Sequence, residues 1–155
     1  MTLMSLAIGV LHSQAQNSPE DYLRVHNAAR AQVGVGPMRW DKTVEANAKN
    51  YTHKRLGDCS DLTPQYLTIY GENLANGPGS FSGEDAVNKW VAQKPIYDYN
   101  TNNCSNGLNC RGYTQVVWRS STKLGCARAK CKNVNWWFVT CNYYYPGNYP
   151  DQRPY

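Results

Sequence analysis

The chain has 155 residues, 41% of them hydrophobic and 17% charged, with a formal net charge of +5. That composition excludes a disordered or fibrous chain and fits one globular domain, long enough to bury about two thirds of its unfolded surface. The basic residues are scattered and no nucleic-acid motif accompanies them, so nucleic acid is not an expected partner; anionic membranes or cell-wall polyanions suit the charge better.

Residues 1–15 read as a signal peptide. The run "LMSLAIGVL" is apolar but too short to span a bilayer, and "SQA" places small residues before a cut that starts the mature chain at Gln16. The basic leader of such a signal is missing, so this copy is read as truncated. Residues 16–155 are then a single domain. Ser18 can cap a helix with Pro19 at its first position, and Tyr22, Val25, Ala29 and Val33 recur at helical spacing up to Gly34. Asp41 can cap a second helix with Val44, Ala48 and Tyr51 as its apolar stripe, stopped by Gly57. A loop with Pro64 follows. Ser82 and Asp85 form a weak capping box for a third helix carrying Ala86, Val87, Trp90 and Val91, which Pro95 closes.

The last third changes character. "YTQVVW", "LGCARAKC" and "WWFVTCNY" predict three strands in an antiparallel meander. The stretch "RGYTQVVW" alternates, with Tyr113, Gln115 and Val117 on one side and Thr114, Val116 and Trp118 on the other, and Arg111 and Gly112 stand at its entrance. "YNTNNCSNGLNC" is a polar loop that a bridge between its own cysteines would pinch. The tail "YPGNYPDQRPY" is irregular and nothing periodic ties it down. Helices first and strands last predict an α+β fold, with helices on a sheet.

Six cysteines, Cys59, Cys104, Cys110, Cys126, Cys131 and Cys141, lie in the expected mature chain. An even number after an export signal predicts three disulfides. Zinc is disfavoured, because no Cys-x-x-Cys pair is present and only His26 and His53 remain. Spacing alone does not choose among the pairings.

Few residues offer chemistry. His26 and Arg30 share a helix face; a core histidine satisfied by a backbone carbonyl, with Arg30 on a carboxylate, is favoured over a catalytic or metal site. Glu72 in "GENLA" reads as a carboxylate in a tight turn, either accepting backbone hydrogen bonds or lining a cleft as acid, base or ligand. Trp90, Tyr97 and Tyr99 can form an exposed aromatic wall for a flat apolar molecule, but from the residues alone ordinary core and surface packing is the favoured reading. Hydrolase, phosphate-loop and metalloprotease motifs are absent.

The stretches "QNSPEDYLRVHNAARAQVGVGPMRWD", "YGENLANGPGSFSG", "AVNKWV", "GYTQVVWRSSTKLGCARAKC" and "CNYYYPGNYPDQRPY", in this order, resemble the CAP superfamily, and within it the plant pathogenesis-related protein 1 group. The resemblance covers nearly all of the mature chain. It implies an α-β-α sandwich, the pairs Cys59–Cys131, Cys104–Cys110 and Cys126–Cys141, and a secreted defence protein of the apoplast; the disulfide-locked domain is expected to be a monomer. Many members of the family hold a divalent metal with two His and two Glu around a cleft. Glu72 matches one Glu. Gly112 stands where a His is usual, Gln93 stands where the other Glu is usual, and "SDLTPQYLTIYG" supplies no second His. A cleft with Glu72, Gln93 and Gly112 is a remnant, so no metal and no cofactor are expected, and a metal-dependent hydrolase or protease is the disfavoured alternative.

What the resemblance then implies is capture of a sterol or another apolar small molecule, from a pathogen membrane or wall, at a loop that maps to Trp90, Tyr97 and Tyr99. It also implies a defence peptide released from the C-terminus. The cut would fall between Tyr144 and Tyr145 and free residues 145–155. Gly147, Asn148, Pro154 and Tyr155 keep the pattern of that peptide, whereas Tyr144, Tyr145 and Asp151 depart from it.

Overall fold

A computed structural model describes residues 16–65 and 69–155, so the expected signal peptide lies outside the described residues. The first helix, α1 (Pro19–Ala31), begins where Ser18 predicts. Its hydroxyl accepts from Asp21 N while Asp21 caps the Ser18 backbone in return, a reciprocal box. Asp41 caps α2 (Lys42–Lys54) through Thr43 N and Val44 N, and Ser82 with Asp85 boxes the start of α3 (Gly83–Val91).

One four-stranded sheet forms the middle layer. Its order is β1 (Arg39–Trp40), β5 (Lys123–Lys130), β6 (Trp136–Tyr144), β2 (Gly71–Pro78), with β1 parallel to β5 and the other neighbours antiparallel. A two-stranded ribbon, β3 (Tyr97–Asp98) and β4 (Asn103–Cys104), lies apart. α1, α3 and a short helix α4 (Arg111–Val116) cover one face of the main sheet and α2 covers the other, giving the α-β-α sandwich. β6 shows the layering residue by residue. Val139, Cys141 and Tyr143 join the large core with Tyr22, Trp90 and Leu124. Phe138, Thr140 and Asn142 point the other way, to a smaller cluster with Cys59 and Leu74 and to Thr52 and Asn47 of α2. α2 crosses β5 so closely that a Cβ on Gly125 would stand 2.0 Å from the Glu45 amide nitrogen, so only glycine fits there.

Two expectations are corrected. Residues 111–116 are a helix, not a strand. Every residue from Gly112 to Trp118 is buried, and a short run buried all round carries no periodicity to separate the two states. The meander is therefore replaced by β5 and β6 alone, and the place beside β6 is taken by β2, drawn from mid-chain. "GENLA", read as a tight turn, is the first half of that strand. The disulfides are Cys59–Cys131, Cys104–Cys110 and Cys126–Cys141, leaving no free cysteine.

Candidate functional site

The outer edge of β2 faces a cleft of about 750 Å³, walled by the loop around Pro64 and Gln65, the end of α3, the start of α4 and the tail at Pro146–Tyr149. Glu72, Gln93 and Gly112 all line it, so the three remnant positions do converge. The Glu72 carboxylate accepts from Gln65 N at 2.8 Å, Gln65 Nε2 at 3.0 Å and Asn142 Nδ2 at 3.0 Å. Burial still outweighs these donors and raises the Glu72 carboxyl above the ordinary range.

Gln93 has a structural task. Its Oε1 accepts from Tyr113 N at 3.0 Å, and Asn109 Oδ1 accepts from Arg111 N at 3.0 Å. Two orphan amides of the first turn of α4 are thus capped by side chains from outside the helix. Gly112 makes the first of these bonds sterically permissible. A Cβ on Gly112 would lie 2.8 Å from Gln93 Oε1 and 3.0 Å from Trp90 Cδ1. The glycine and the glutamine fit each other: a side chain at 112 pushes Gln93 off the helix it caps.

These residues do not suit a metal. Gln93 presents a neutral amide, Gly112 presents nothing, and Glu72 already binds three donors. Among the described residues no cluster of three His, Cys, Asp or Glu side chains is assembled.

The remaining candidates separate. His26 is fully buried in the core, not in the cleft. Its Nδ1 is 2.7 Å from the Tyr22 carbonyl, which can only accept, so Nδ1 carries the proton and Nε2 accepts from the Tyr143 hydroxyl at 2.9 Å. Burial pushes its pKa down to about 4. Arg30 meets no carboxylate among the described residues, contrary to expectation; its guanidinium donates to the carbonyls of Gly36, Val116, Trp118 and Arg119 and so closes the C-terminal end of α4.

Trp90 also leaves the aromatic wall. It is buried, with Nε1 donating to Leu74 O at 3.0 Å, because its position on α3 faces the core. Tyr97 and Tyr99 remain. Tyr97 is half-buried, packs 6.1 Å from Tyr113 and donates its hydroxyl to Asn102 at 2.8 Å. Tyr99 is 43% exposed. The ribbon that carries Tyr97, and on whose turn Tyr99 sits, is tied to α4 through Cys104–Cys110.

The tail is irregular as expected, but it is tied down. Ser121 Oγ donates to Tyr145 O at 2.6 Å, Gly147 N donates to Gln115 Oε1 at 2.9 Å, and Asn148 bonds Thr114 and Arg111 O. Hydrogen bonds between main chain and distant side chains leave no periodic trace, which is why the sequence shows none of this.

The family follows from comparison. Residues 23–143 match the pattern of CAP, the cysteine-rich secretory protein family, and the chain belongs to that family. It is 54% identical over 151 residues to pathogenesis-related leaf protein 6 of Solanum lycopersicum, covering 97% of this chain and 92% of that one. The basic form of pathogenesis-related protein 1 of Nicotiana tabacum is 51% identical over 152 residues, covering 98% and 84%. Venom allergen-like protein 4 of Schistosoma mansoni superposes with a TM-score of 0.68 at 26% identity, over 88% of this chain and 92% of that chain.

Proposed function

We propose that this chain is a secreted defence protein of the pathogenesis-related class that binds a sterol or a similarly flat apolar molecule at the Tyr97–Tyr99 loop. The observation that carries the reading is a pair of tyrosines on a disulfide-anchored ribbon and its turn, Tyr99 being 43% exposed and Tyr97 lining a small cavity. Rings held in this way offer a large apolar area at little entropic cost. The names of the relatives supply the defence role, and no helix among the described residues is long and apolar enough to cross a membrane.

Hydrolysis in the cleft is disfavoured, since capped amides and a glycine occupy the positions that chemistry needs. Release of a peptide after Tyr144 is a second strand of the proposal. Tyr145 is 55% exposed, so the bond is approachable, and a freed segment would stay docked through its own contacts.

Titration of the disulfide-intact protein with the fluorescent sterol dehydroergosterol tests the main reading. Saturable binding is expected, lost when Tyr97 and Tyr99 are both replaced by Ala and retained in Glu72→Gln. A titration that never saturates overturns it.

A further inference from the structure

The last residues of the chain lie on the face that the sterol reading assigns to ligand. Tyr155 stacks on Tyr99, with ring centroids 5.1 Å apart and planes inclined by 13°, and meets Tyr97 edge-on at 6.4 Å. The Arg153 guanidinium is 5.3 Å from the Tyr99 ring centroid, and its Nε and Nη2 donate to the carbonyls of Tyr99 and Asn100 at 3.0 and 2.9 Å. Asn102 Nδ2 donates to Gln152 O at 3.1 Å, and Arg119 N donates to Pro154 O at 2.8 Å. Pro154 is buried.

Beside this clasp runs a cavity of about 360 Å³, with Tyr97, Asn102 and Leu108 on one side and Gln152 and Pro154 on the other. Tyr113 is buried, its ring 6.1 Å from that of Tyr97. The end of the chain, through Gln152 and Pro154, thus walls a cavity that Tyr97 also lines.

We infer that residues Arg153–Tyr155 are a removable cover, and that a flat apolar ligand reaches Tyr99 only when this strap has swung away. Tyr155 and the ligand want the same ring face, so they exclude each other. No disulfide lies beyond Cys141, and stacking, cation–π contact and a few hydrogen bonds are individually weak, so the segment can open without unfolding the sheet. Ligand binding then carries the cost of opening: the apparent affinity falls by the fraction of chains whose strap is open. Loss of the last residues, by carboxypeptidase trimming, converts a weak binder into a strong one.

The inference rests on the assignment of Tyr97 and Tyr99 as the ligand face, and two probes separate its failure from failure of the sterol reading. The chain is compared with a form ending at Gln152 and with Tyr155→Ala, using dehydroergosterol and the general apolar probe 1-anilinonaphthalene-8-sulfonate. Both shortened and substituted forms are expected to bind each probe roughly ten- to a hundredfold more tightly than the intact chain. Adding Tyr99→Ala to the shortened form should cancel the gain. Tighter binding of the naphthalene dye without saturable sterol binding keeps the strap and removes the sterol. Equal dye affinity in all forms overturns the strap, and so does a gain that survives Tyr99→Ala, which would mark general loosening.

Discussion

His26 Nε2 accepts a hydrogen bond from the Tyr143 hydroxyl at 2.9 Å, joining the first helix to the central strand through two buried side chains. Asn73 Nδ2 donates to the same hydroxyl at 3.1 Å and to Gly112 O at 3.0 Å, which extends the chain of bonds to β2 and the start of α4. The imidazole is neutral in this arrangement, and burial holds its pKa at about 4. Its folded pKa lies below the unfolded value near 6.5, so the unfolded state binds the extra proton first. The stability is fully present above that value and is lost as pH falls from there toward the folded pKa, by up to about 3 kcal/mol. The urea midpoint should drop across this window, and the drop should shrink in His26→Gln. An equally steep dependence in the variant would assign it to other groups.

The match between Gly112 and Gln93 should appear as coupling. Gln93→Ala removes a cap from α4 and should cost about 1 kcal/mol. Gly112→Ala crowds Gln93 and Trp90 and should cost about 1–3 kcal/mol. Made together, the two should cost less than their sum, because the shorter residue at 93 makes room. Strict additivity in a denaturant double-mutant cycle would refute the fit.

Zinc should find no tight site in the cleft. Calorimetry at neutral pH is expected to show none in the native chain. Gly112→His with Gln93→Glu and Gln65→His should raise the affinity, while lowering stability through the lost cap on Tyr113. Sub-micromolar binding by the native chain would contradict this.

The three bridges should contribute unequally. Cys59–Cys131 spans 72 residues of sequence and Cys104–Cys110 only 6. Loop-closure entropy then gives about 4 kcal/mol for the first and about 2 kcal/mol for the second. Paired Cys→Ser replacements, compared by thermal unfolding, should rank accordingly, and thiol titration of the denatured, unreduced protein should find no free thiol. Two or more thiols per chain would sink the pairing.

Local rules carried much of the fold. Ser18, Asp41 and Ser82 each announce a helix by a side chain that must reach an amide three residues on or nearer, and all three do. α4 was not legible, because its caps come from Gln93 and Asn109, outside the helix they serve. β2 was missed for a related reason: Gly71, Asn73 and Asn76 are poor strand formers on their own, and the strand is held by its pairing to β6 far along the chain. At the site, resemblance names Glu72, Gln93 and Gly112, which line one cleft, but it does not say that Gln93 is a cap. The resemblance places Trp90 with Tyr97 and Tyr99 on one ligand loop, yet Trp90 is core, since proximity in sequence does not fix the face of a helix on which a residue falls.

β6 is the last strand in the chain and an inner strand of the sheet, flanked by β5 and by β2. The sheet therefore cannot be assembled in the order in which it is synthesised. β2 emerges early and has no neighbour until residues 136–144 arrive, and Cys126 waits for Cys141 on the same strand. Such distant pairing makes folding slow and leaves strand edges bare on the way. A nascent chain that ends before Trp136 would hold three capped helices and a β2 with no strand beside it, and Cys126 would still lack the Cys141 that arrives with β6.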